Sequence, residues 1–441
     1  METPKCIKFK SQDLKKILSD LDSEVRLSPV IAQPEMRLGF HHFIHRTKDL
    51  MRKIPEAMVK SKLHYIVNPF EVNDKLESEM KKLLNFKEKT PDILSRAFYK
   101  KWEMLIVFDL VEKKELTYAA LAEAPGSFLQ AVLHYRKKYL SISNDKYFAV
   151  SINPEDGRNL EVSKNFIGYY KKKNPELLNI HKTYKRDTLK RYKSKDNGDL
   201  TDVRTISNFR NDMKKSNKTA DLVSGDGGFN WIDENYQEQE SYPLIIGQIL
   251  GCLGVLDKGG NFVLKFFETF TELSCKLVYI LTGLFEESYF YKPYFSRLSN
   301  SEKYFVGKGY KYSNDDKNID LLVGLMMDVL KKFNSKSYVI NAFPRLKMEE
   351  DFLGRMKIIN IMISNKQQII INEISNFIDS DNYYGTKYHE YLGEHQESIN
   401  YWISNFVVDK EGLKKTREKW VGILNSIVKS SDEEVLLLLK D

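Results

Sequence analysis

An acidic residue stands where a short apolar strand of the 441-residue chain must end. Residues 221–224 predict a strand, and the glycine-rich turn 225–228 stops it, because successive glycines permit positive φ and close backbone approach. Asp226 therefore lies at the carboxyl end of a strand, which is the edge where open α/β sheets bind ligands. A carboxylate at that edge can accept hydrogen bonds or orient an amine.

A lysine interrupts the next apolar strand. Residues 261–267 (Asn-Phe-Val-Leu-Lys-Phe-Phe) follow the turn Lys258-Gly259-Gly260 and predict a strand with Lys265 inside it. Burying an unpaired ammonium is costly, so Lys265 should meet carboxylates or line a wet cleft. The alternative is an edge-strand lysine whose amine reaches solvent.

Two further candidates indicate little when each is taken alone. Glu302 lies in the alternating stretch 301–306, and its carboxylate could point into the same cleft. Lys100 lies in the amphipathic helical run 95–104, where charged residues usually form a solvated face.

Together these segments resemble the FtsJ-like (RrmJ-type) methyltransferases, and within them the eukaryotic and viral mRNA cap ribose methyltransferases. Residues 96–100 (Arg-Ala-Phe-Tyr-Lys) are similar to the Arg-Ala-x-x-Lys helix motif of the family, and residues 226–229 (Asp-Gly-Gly-Phe) to its acidic motif. Residues 259–265 resemble the strand that carries the central lysine, and residues 292–304 the segment that supplies the last glutamate. The similar region extends over about residues 91–311.

The resemblance implies that Lys100, Asp226, Lys265 and Glu302 form a K-D-K-E tetrad that methylates a ribose 2'-hydroxyl of RNA. Such a hydroxyl is a poor nucleophile, so it must be aimed in line with the methyl group and lose its proton as the bond forms. Lys265 would act as a neutral base or as a cation beside the developing alkoxide, and the sequence leaves both roles open. Neither a metal nor a covalent enzyme intermediate is needed.

A strand, a turn of small residues and a helix start predict the site of the methyl donor. Residues 116–123 indicate the strand, 124–127 (Ala-Pro-Gly-Ser) the turn and 128–139 the helix, an arrangement that lets backbone approach a nucleotide-like ligand. An ordinary connection between a strand and a helix is the alternative.

By the resemblance, this turn is the loop that binds the cofactor S-adenosyl-L-methionine. Ser127 replaces the second glycine of the family pattern, and Ala120 stands where the family often has an acid, for which Glu123 is expected to substitute. The cofactor-binding residues expected from this turn are Glu123, Ala124, Pro125, Gly126, Ser127 and Phe128.

Two more segments are expected at the same pocket. A second strand over 147–151 would place Ile152 and Asn153 near the ribose of the cofactor. Asp226, besides its place in the tetrad, is also expected to contact the cofactor. Residues 197–202 (Asn-Gly-Asp-Leu-Thr-Asp) are similar to the Gly-Asp-x-x-Asp segment of the family, in which Asp199 would accept a hydrogen bond from the adenine amine. The alternative is an Asp-rich turn that caps the following helix.

The composition agrees with an RNA substrate, here 5'-capped mRNA. The chain has 69 lysine and arginine residues against 61 acids, and much of the excess lies in the runs 171–195 and 210–218. These runs could follow RNA phosphates, or they could be solvated faces. The 25 tyrosines and four tryptophans offer stacking platforms for bases.

Other classes of site are disfavoured. The three cysteines have no paired spacing, which argues against a disulfide framework and a zinc site and fits a reducing compartment. Three clustered histidines are interpreted as structural, since no other ligand lies at suitable spacing. These residues are Cys6, Cys252 and Cys275, and His41, His42 and His45.

No membrane segment or signal peptide is predicted. The start of the chain lacks a signal-like apolar core, and the longest apolar run, 244–256, is too short to cross a bilayer. An intracellular location follows, cytoplasmic or nuclear, or the host cytoplasm or virion for a viral protein.

The predicted fold is α/β: a Rossmann-like sheet of the S-adenosylmethionine-dependent methyltransferases with helices on both faces. The expected divisions are a mainly helical N-terminal extension (1–90), an FtsJ-like methyltransferase domain (91–311) and a mainly helical C-terminal region (312–441). The flanks would pack on the core or bind a protein partner. Ribose methylation of rRNA or tRNA, and a non-catalytic RNA-binding or processivity subunit with the same fold, remain as alternatives.

Overall fold

The computed structural model describes most of the chain. The described residues are 3–31, 41–61, 63–140, 142, 144–153, 161–228, 233–313, 315–333, 337–380 and 384–438. Phe229, the last residue of the acidic motif, lies outside them, and so do the side chains of His41 and His42.

The secondary structure has ten strands and fifteen α-helices within these residues. The strands are β1 (Lys5–Phe9), β2 (Val25–Ser28), β3 (Thr117–Leu121), β4 (Lys146–Val150), β5 (Leu178–Ile180), β6 (Ala220–Gly225), β7 (Leu256–Phe266), β8 (Phe285–Lys292), β9 (Lys303–Tyr310) and β10 (Tyr338–Ala342). The helices are α1 (Leu14–Asp20), α2 (His41–Met51), α3 (Glu56–Ser61), α4 (Asp74–Leu83), α5 (Ala97–Phe108), α6 (Ser127–Tyr139), α7 (Lys164–Lys173), α8 (Arg186–Arg191), α9 (Val203–Lys215), α10 (Gln237–Leu253), α11 (Glu272–Leu284), α12 (Lys317–Lys331), α13 (Glu350–Asp379), α14 (Thr386–Phe406) and α15 (Lys410–Leu438).

An eight-stranded mixed sheet forms the centre of the fold, in the order β1-β8-β9-β7-β6-β3-β4-β5. The neighbours from β5 to β7 pair in parallel, and β9 runs antiparallel between β7 and β8. The predicted α/β class is confirmed. The strand order reverses beside β3, so a crevice for a ligand opens at the carboxyl ends of the central strands.

Both faces of the sheet are buried, as the continuous apolar strands require. Ala119 and Leu121 of β3 point into one hydrophobic core, and Tyr118 and Ala120 point into the other. The first core is completed by residues of α10 to α13, and the second by residues of α5, α6, α14 and α15. The helices predicted on both faces are therefore present.

Helix α5 corrects the expectation that its charged residues form a solvated face. Lys100, Lys101 and Glu103 are all buried, because α5 lies between the sheet and the C-terminal helices. The indole N–H of Trp402 donates to Glu103 (2.9 Å), and that of Trp102 donates to the carbonyl of Phe406 (2.8 Å). Tertiary packing thus overrides the local pattern.

Strand β7 starts earlier than predicted. It begins at Leu256 and continues through the expected turn at Gly259 and Gly260, with an irregular register against β6. Gly259 has a positive φ of 79°, so the glycines bend the strand where the sequence suggested a complete stop.

The flanking segments are built into the central fold. β1 pairs antiparallel with β8 at the sheet edge, and β2 pairs with β10 in a separate ribbon. The remainder of both flanks is mainly helical. Within the described residues, no helix has both the length and the apolar character needed to cross a bilayer.

His45, one of the three clustered histidines, contacts a buried carboxylate from a distant part of the chain. His45 Nε2 lies 3.0 Å from a carboxylate oxygen of Glu268, and Lys48 lies 2.9 Å from the other oxygen. Burial alone would raise the pKa of Glu268, but Lys48 and His45 lower it to about 2. In the part of the chain that the structure covers, no group of three potential ligands could hold a metal ion.

Candidate active site

The turn after β6 is shaped by a glutamine from α10. Gln248 Oε1 accepts a hydrogen bond from the backbone N–H of Gly227 (3.0 Å), and it would lie 2.5 Å from a Cβ added at Gly225. A side chain at Gly225 would displace the end of the Gln248 side chain from this hydrogen bond. The turn places Asp226 beside β7, as the sequence predicted.

Asp226 and Lys265 form the first of two ion pairs. Lys265 Nζ lies 3.2 Å from Asp226 Oδ1 and donates to the backbone carbonyl of Asp226 at 2.8 Å. Tyr304 donates its hydroxyl to the same Oδ1 (2.9 Å), because β9 places it opposite Lys265 in the register of the sheet. β7 is an interior strand, so the solvent-reaching edge lysine is excluded.

Lys100 and Glu302 form the second ion pair. Lys100 Nζ lies 2.5 Å from Glu302 Oε1, with 7% and 13% of the two side chains exposed. Burial raises the pKa of Glu302, but the positive charges of Lys100 and Lys265 outweigh it, so the pKa falls below its ordinary value. Burial lowers the pKa of Lys100, against the attraction of Glu302. The structure thus brings the four predicted side chains together as two ion pairs, and their action as one tetrad stays a prediction.

A buried lysine holds the loop that carries Glu302. Lys292 Nζ donates to Ser296 Oγ (3.0 Å), to the carbonyl and side-chain oxygens of Asn300 (2.8 and 3.0 Å) and to the carbonyl of Glu302 (2.8 Å). Burial lowers the pKa of Lys292 well below its ordinary value. Three residues of this sequence motif, Lys292, Ser296 and Asn300, therefore fix the position of Glu302 through hydrogen bonds.

A pocket of about 660 Å³ lies beside these pairs, and both Asp226 and Lys265 line it. Eight of the ten residues predicted to bind the cofactor also line this pocket; they are Glu123, Ala124, Pro125, Ser127, Phe128, Ile152, Asp199 and Asp226.

The other two predicted residues, Gly126 and Asn153, do not line the pocket but adjoin residues that do. Gly126 has φ 112° at the start of α6, a conformation that L side chains rarely adopt. Asn153 donates its backbone N–H to the carbonyl of Asn197 (2.6 Å) and its side-chain amide to Thr183 (3.2 Å). Both residues position the pocket wall without lining it.

The sequence left open whether the segment around Asp199 lines the pocket or caps the following helix, and in the structure two different aspartates do so. Asp202 caps α9, with Oδ1 accepting from the N–H of Arg204 (2.9 Å). Asp199 lines the pocket, and its Oδ1 accepts from the N–H and hydroxyl of Thr201 (2.9 and 2.7 Å). Gly198 allows this close approach, since a Cβ there would lie 2.1 Å from the carbonyl oxygen of Ser151.

Two buried ionisable groups, Glu123 and Lys101, lie next to the turn 124–127. Glu123 Oε1 accepts from the N–H of Leu129 (2.7 Å) at the start of α6, and burial raises the pKa of Glu123 to about 8. Lys101 Nζ has no hydrogen-bond partner among the described residues and lies over the rings of Phe128 and Tyr118 (5.1 and 5.6 Å). Burial lowers the pKa of Lys101 to about 7.

Sequence reasoning missed several residues of the site. Ser151 and Thr201 adjoin predicted residues, so their neighbours were a usable signal. Ser95, Leu244 and Phe267 also line the pocket; each lies in a segment quoted from the sequence, but none was given a role there. Tyr304 stood in a quoted motif without an assigned role.

The strand order and the crevice at the carboxyl ends of the central strands define a Rossmann-like α/β core. Residues 93–310 of this core match the family model of the FtsJ-like methyltransferases.

Curated relatives include cellular and viral proteins. A human cap-specific mRNA (nucleoside-2'-O-)-methyltransferase 1 is 30% identical over 288 residues, covering 60% of this chain and 32% of the human protein. A probable methyltransferase of African swine fever virus is 26% identical, covering 68% of this chain and 62% of the viral one. An uncharacterized protein of Acanthamoeba polyphaga mimivirus is 29% identical, covering 68% of this chain and 35% of its own length. The match thus spans about a third of the human and mimiviral relatives.

Proposed function

We propose that the chain is a S-adenosyl-L-methionine-dependent mRNA cap-specific (nucleoside-2'-O-)-methyltransferase that methylates the ribose of a 5'-terminal nucleotide of capped RNA. The observation that carries the proposal is the Asp226–Lys265 ion pair in the wall of the pocket, and we assign the Lys100–Glu302 ion pair as the other half of the expected tetrad. The match of residues 93–310 to the FtsJ-like family model and the cap-specific relatives support the proposal.

The pocket suits a nucleoside-bearing methyl donor. Its volume of about 660 Å³ lies in the range typical of small-molecule sites. Asp199 offers a carboxylate for an exocyclic amine, and the small residues of the turn 124–127 let backbone approach the ligand. The absence of a side chain at Gly228 leaves Lys265 open, since a Cβ there would lie 3.4 Å from its amine. When bound, the cofactor supplies a methyl group on a sulfonium.

The chain's own residues would prepare the ribose hydroxyl. Asp226 holds Lys265 through its carboxylate and its carbonyl, which leaves a third position of the amine for the hydroxyl. Lys265 then orients the hydroxyl and either takes its proton or stabilises the negative charge that develops on the oxygen. The Lys100–Glu302 pair would add a second fixed amine and carboxylate to the site.

The central test is methyl transfer by Lys265 variants. Lys265→Ala should lower kcat about 10²–10⁴-fold, since it removes the group that orients or activates the hydroxyl. Lys265→Arg keeps the charge and removes the base, so substantial activity in this variant would assign a cationic role. Radiolabelled methyl incorporation into a capped transcript measures the rate, and calorimetric titration checks donor binding. Lys276→Met is the matched control, because it removes another buried lysine, one paired with Glu272, without touching the pocket.

The same assay separates the alternative functions. Incorporation into a capped transcript but not into the uncapped transcript of the same sequence supports the cap-specific proposal. Equal incorporation into both, or into rRNA or tRNA alone, would replace it with the broader ribose methylation. A folded protein that binds donor and RNA but transfers no methyl group would identify the non-catalytic subunit.

A further inference from the structure

A strongly basic segment lies next to the donor pocket and is not used by the proposed chemistry. Residues 182–195 contain seven lysine or arginine residues and one aspartate. Among the side chains that the structure describes in this segment, only Lys190 pairs with a carboxylate, that of Asp187 (3.1 Å). The exposed cations include Lys182, Lys185 and Lys193. We call residues 182–195 the basic tyrosine surface.

Two tyrosines are held in this surface by one lysine. Lys195 Nζ lies 4.3 Å from the ring centres of both Tyr184 and Tyr192, and Lys182 Nζ lies 5.4 Å from the Tyr184 ring. Tyr192 is 53% exposed. An exposed ring beside cations offers a stacking platform next to positive charge, which is the combination that binds single-stranded nucleic acid.

The backbone that carries the surface is fixed from below. The N–H of Tyr184 donates to the carbonyl of Asp196 (2.9 Å), and Asn208 donates to the carbonyl of Ser194 (3.0 Å). His181 bridges the carboxylates of Asp196 and Asp212 (3.1 and 2.7 Å). Both carboxylates therefore contact His181, and neither forms an ion pair with a described lysine of the surface.

The surface is continuous with the donor pocket. Gly198 to Thr201 follow it directly and line the pocket. A second depression of about 410 Å³ is lined by Lys190, Asn197 and Arg204 and shares Asp199 with the pocket. A chain whose target nucleotide lies at Lys265 could therefore pass the donor pocket and reach Lys190.

We propose that the basic tyrosine surface binds the single-stranded RNA substrate away from its target nucleotide, through phosphate contacts of its lysines and stacking of a base on Tyr192. This inference rests on the proposed function for the identity of the RNA. The occupant is RNA because the surface combines unpaired cations with an exposed aromatic ring, and phosphates and bases complement both.

The test compares two triple variants of the full chain. Lys182→Ala/Lys190→Ala/Lys193→Ala should weaken binding of a fluorescent capped RNA of about 20 nucleotides roughly tenfold, as followed by anisotropy. The slope of log K against log salt concentration should fall by about 2, since each phosphate contact on a single strand contributes about 0.7.

The matched control lies at the opposite edge of the sheet. Lys410 and Lys414 line a depression with Leu140, which follows the end of α6 at the amino edge of the strands. Lys410→Ala/Lys414→Ala/Lys415→Ala removes the same charge and should leave affinity and salt slope unchanged. Equal effects of the two triple variants, or no RNA binding by the native protein, would overturn the proposal.

A single position tests the stacking contact. Tyr192→Ala should weaken RNA binding about tenfold, whereas Tyr192→Phe should bind like the native protein, because a phenyl ring still stacks. Binding of S-adenosylmethionine should be unchanged in both variants. Normal RNA affinity of Tyr192→Ala contradicts the stacking role. If the surface instead bound an acidic protein segment, RNA affinity would also be normal in Tyr192→Ala, and the proposal would be wrong in that case too.

Failure of the surface and failure of the proposed function give different results. If the native protein transfers methyl groups and the Lys182 triple variant binds RNA normally, the surface proposal alone is wrong. If no RNA is methylated but binding depends on the three lysines, the surface stands and the catalytic proposal is wrong. A capped dinucleotide lacks the further nucleotides that the surface would bind, so its methylation should be equal in the native protein and the triple variant.

Discussion

Lys101 and Glu123 are both buried next to the turn 124–127, and burial disfavours the charged form of each. Glu123 has a use there, because its carboxylate accepts the N–H of Leu129 at the start of α6. Lys101 has no hydrogen-bond partner among the described residues, and burial of its amine is compensated only by two ring faces and the field of nearby acids. The amine of Lys101 therefore destabilises the fold at pH values where it is charged.

Substitution of Lys101 by methionine should stabilise the protein. Lys101→Met keeps the length of the side chain and removes the buried amine, so the free energy of unfolding at pH 6 should rise by about 1–3 kcal/mol. The pKa of Lys101 falls from 10.5 to about 7 on folding, so below pH 7 the gain is constant. Between pH 7 and 10.5 the unfolded native chain binds more protons than the folded chain, so the stability of the native protein rises with pH and the gain from the substitution disappears. Urea unfolding at a series of pH values measures this.

Glu123→Gln gives the opposite pH dependence and serves as the control. The pKa of Glu123 rises from 4.5 to about 8 on folding, so its contribution to stability is complete below pH 4.5 and is lost as the pH rises to 8. The stability of the variant relative to the native protein should therefore increase over that range. A Lys101→Met difference that is independent of pH would show that the amine stays charged in the folded protein.

At the scale of elements, the loop between β8 and β9 is held in place by Lys292 at its base. The amine of Lys292 binds Ser296, Asn300 and the carbonyl of Glu302, so one buried side chain sets the position of the loop. The cost of burying the amine is offset by these acceptors. Glu302 reaches Lys100 on α5 only if this loop keeps its shape.

Lys292→Met should reduce methyl transfer more than it reduces substrate binding. Removing the amine frees the loop and displaces Glu302, so we expect kcat to fall about 10–100-fold while donor affinity is kept. Kinetics at saturating RNA, together with donor titration, measures the two effects. Lys276→Met is the control, since Lys276 is equally buried and bound by Glu272 and the carbonyl of Ala342. An equal loss of kcat in both variants would indicate general destabilisation.

At the scale of the whole molecule, the flanks complete the core of the methyltransferase fold. β1 pairs with β8 along five residues, and α14 and α15 cover α5 with Trp402 and Trp420. Both tryptophan side chains are fully buried. The division at residues 91 and 311 stays a prediction, and the packing indicates that the central segment depends on its neighbours.

A fragment of residues 91–311 should therefore fold poorly by itself. Removing the flanks exposes the edge of β8 and the apolar side of α5. The loss of even one large buried side chain lowers the free energy of unfolding by about 3–5 kcal/mol. We expect no cooperative thermal transition by near-ultraviolet circular dichroism. A chain shortened only by residues 439–441 is the control and should melt like the full protein. A sharp transition of the fragment at the native temperature would show that it is an independent domain.

The sequence by itself determined the local parts of the site. Glycines stop β6 at Asp226, an apolar run buries Lys265, and a small-residue turn opens α6, all within a few neighbouring residues. Such features depend on backbone conformation and side-chain polarity, which can be read from short segments. The resemblance of these sequence motifs to those of one family then indicated that the segments belong to a common site.

Only the tertiary structure decided which distant groups meet. The burial of Lys101 and Glu103, the hydrogen bond from Tyr304 to Asp226 and the entry of β1 into the sheet all join residues far apart in the chain. The local sequence pattern predicts that the charged residues of α5 face solvent. They are buried because they are covered by helices that lie some 300 residues later in the chain. Local periodicity states which side of an element is apolar, but the solvent exposure of its charges is set by long-range packing.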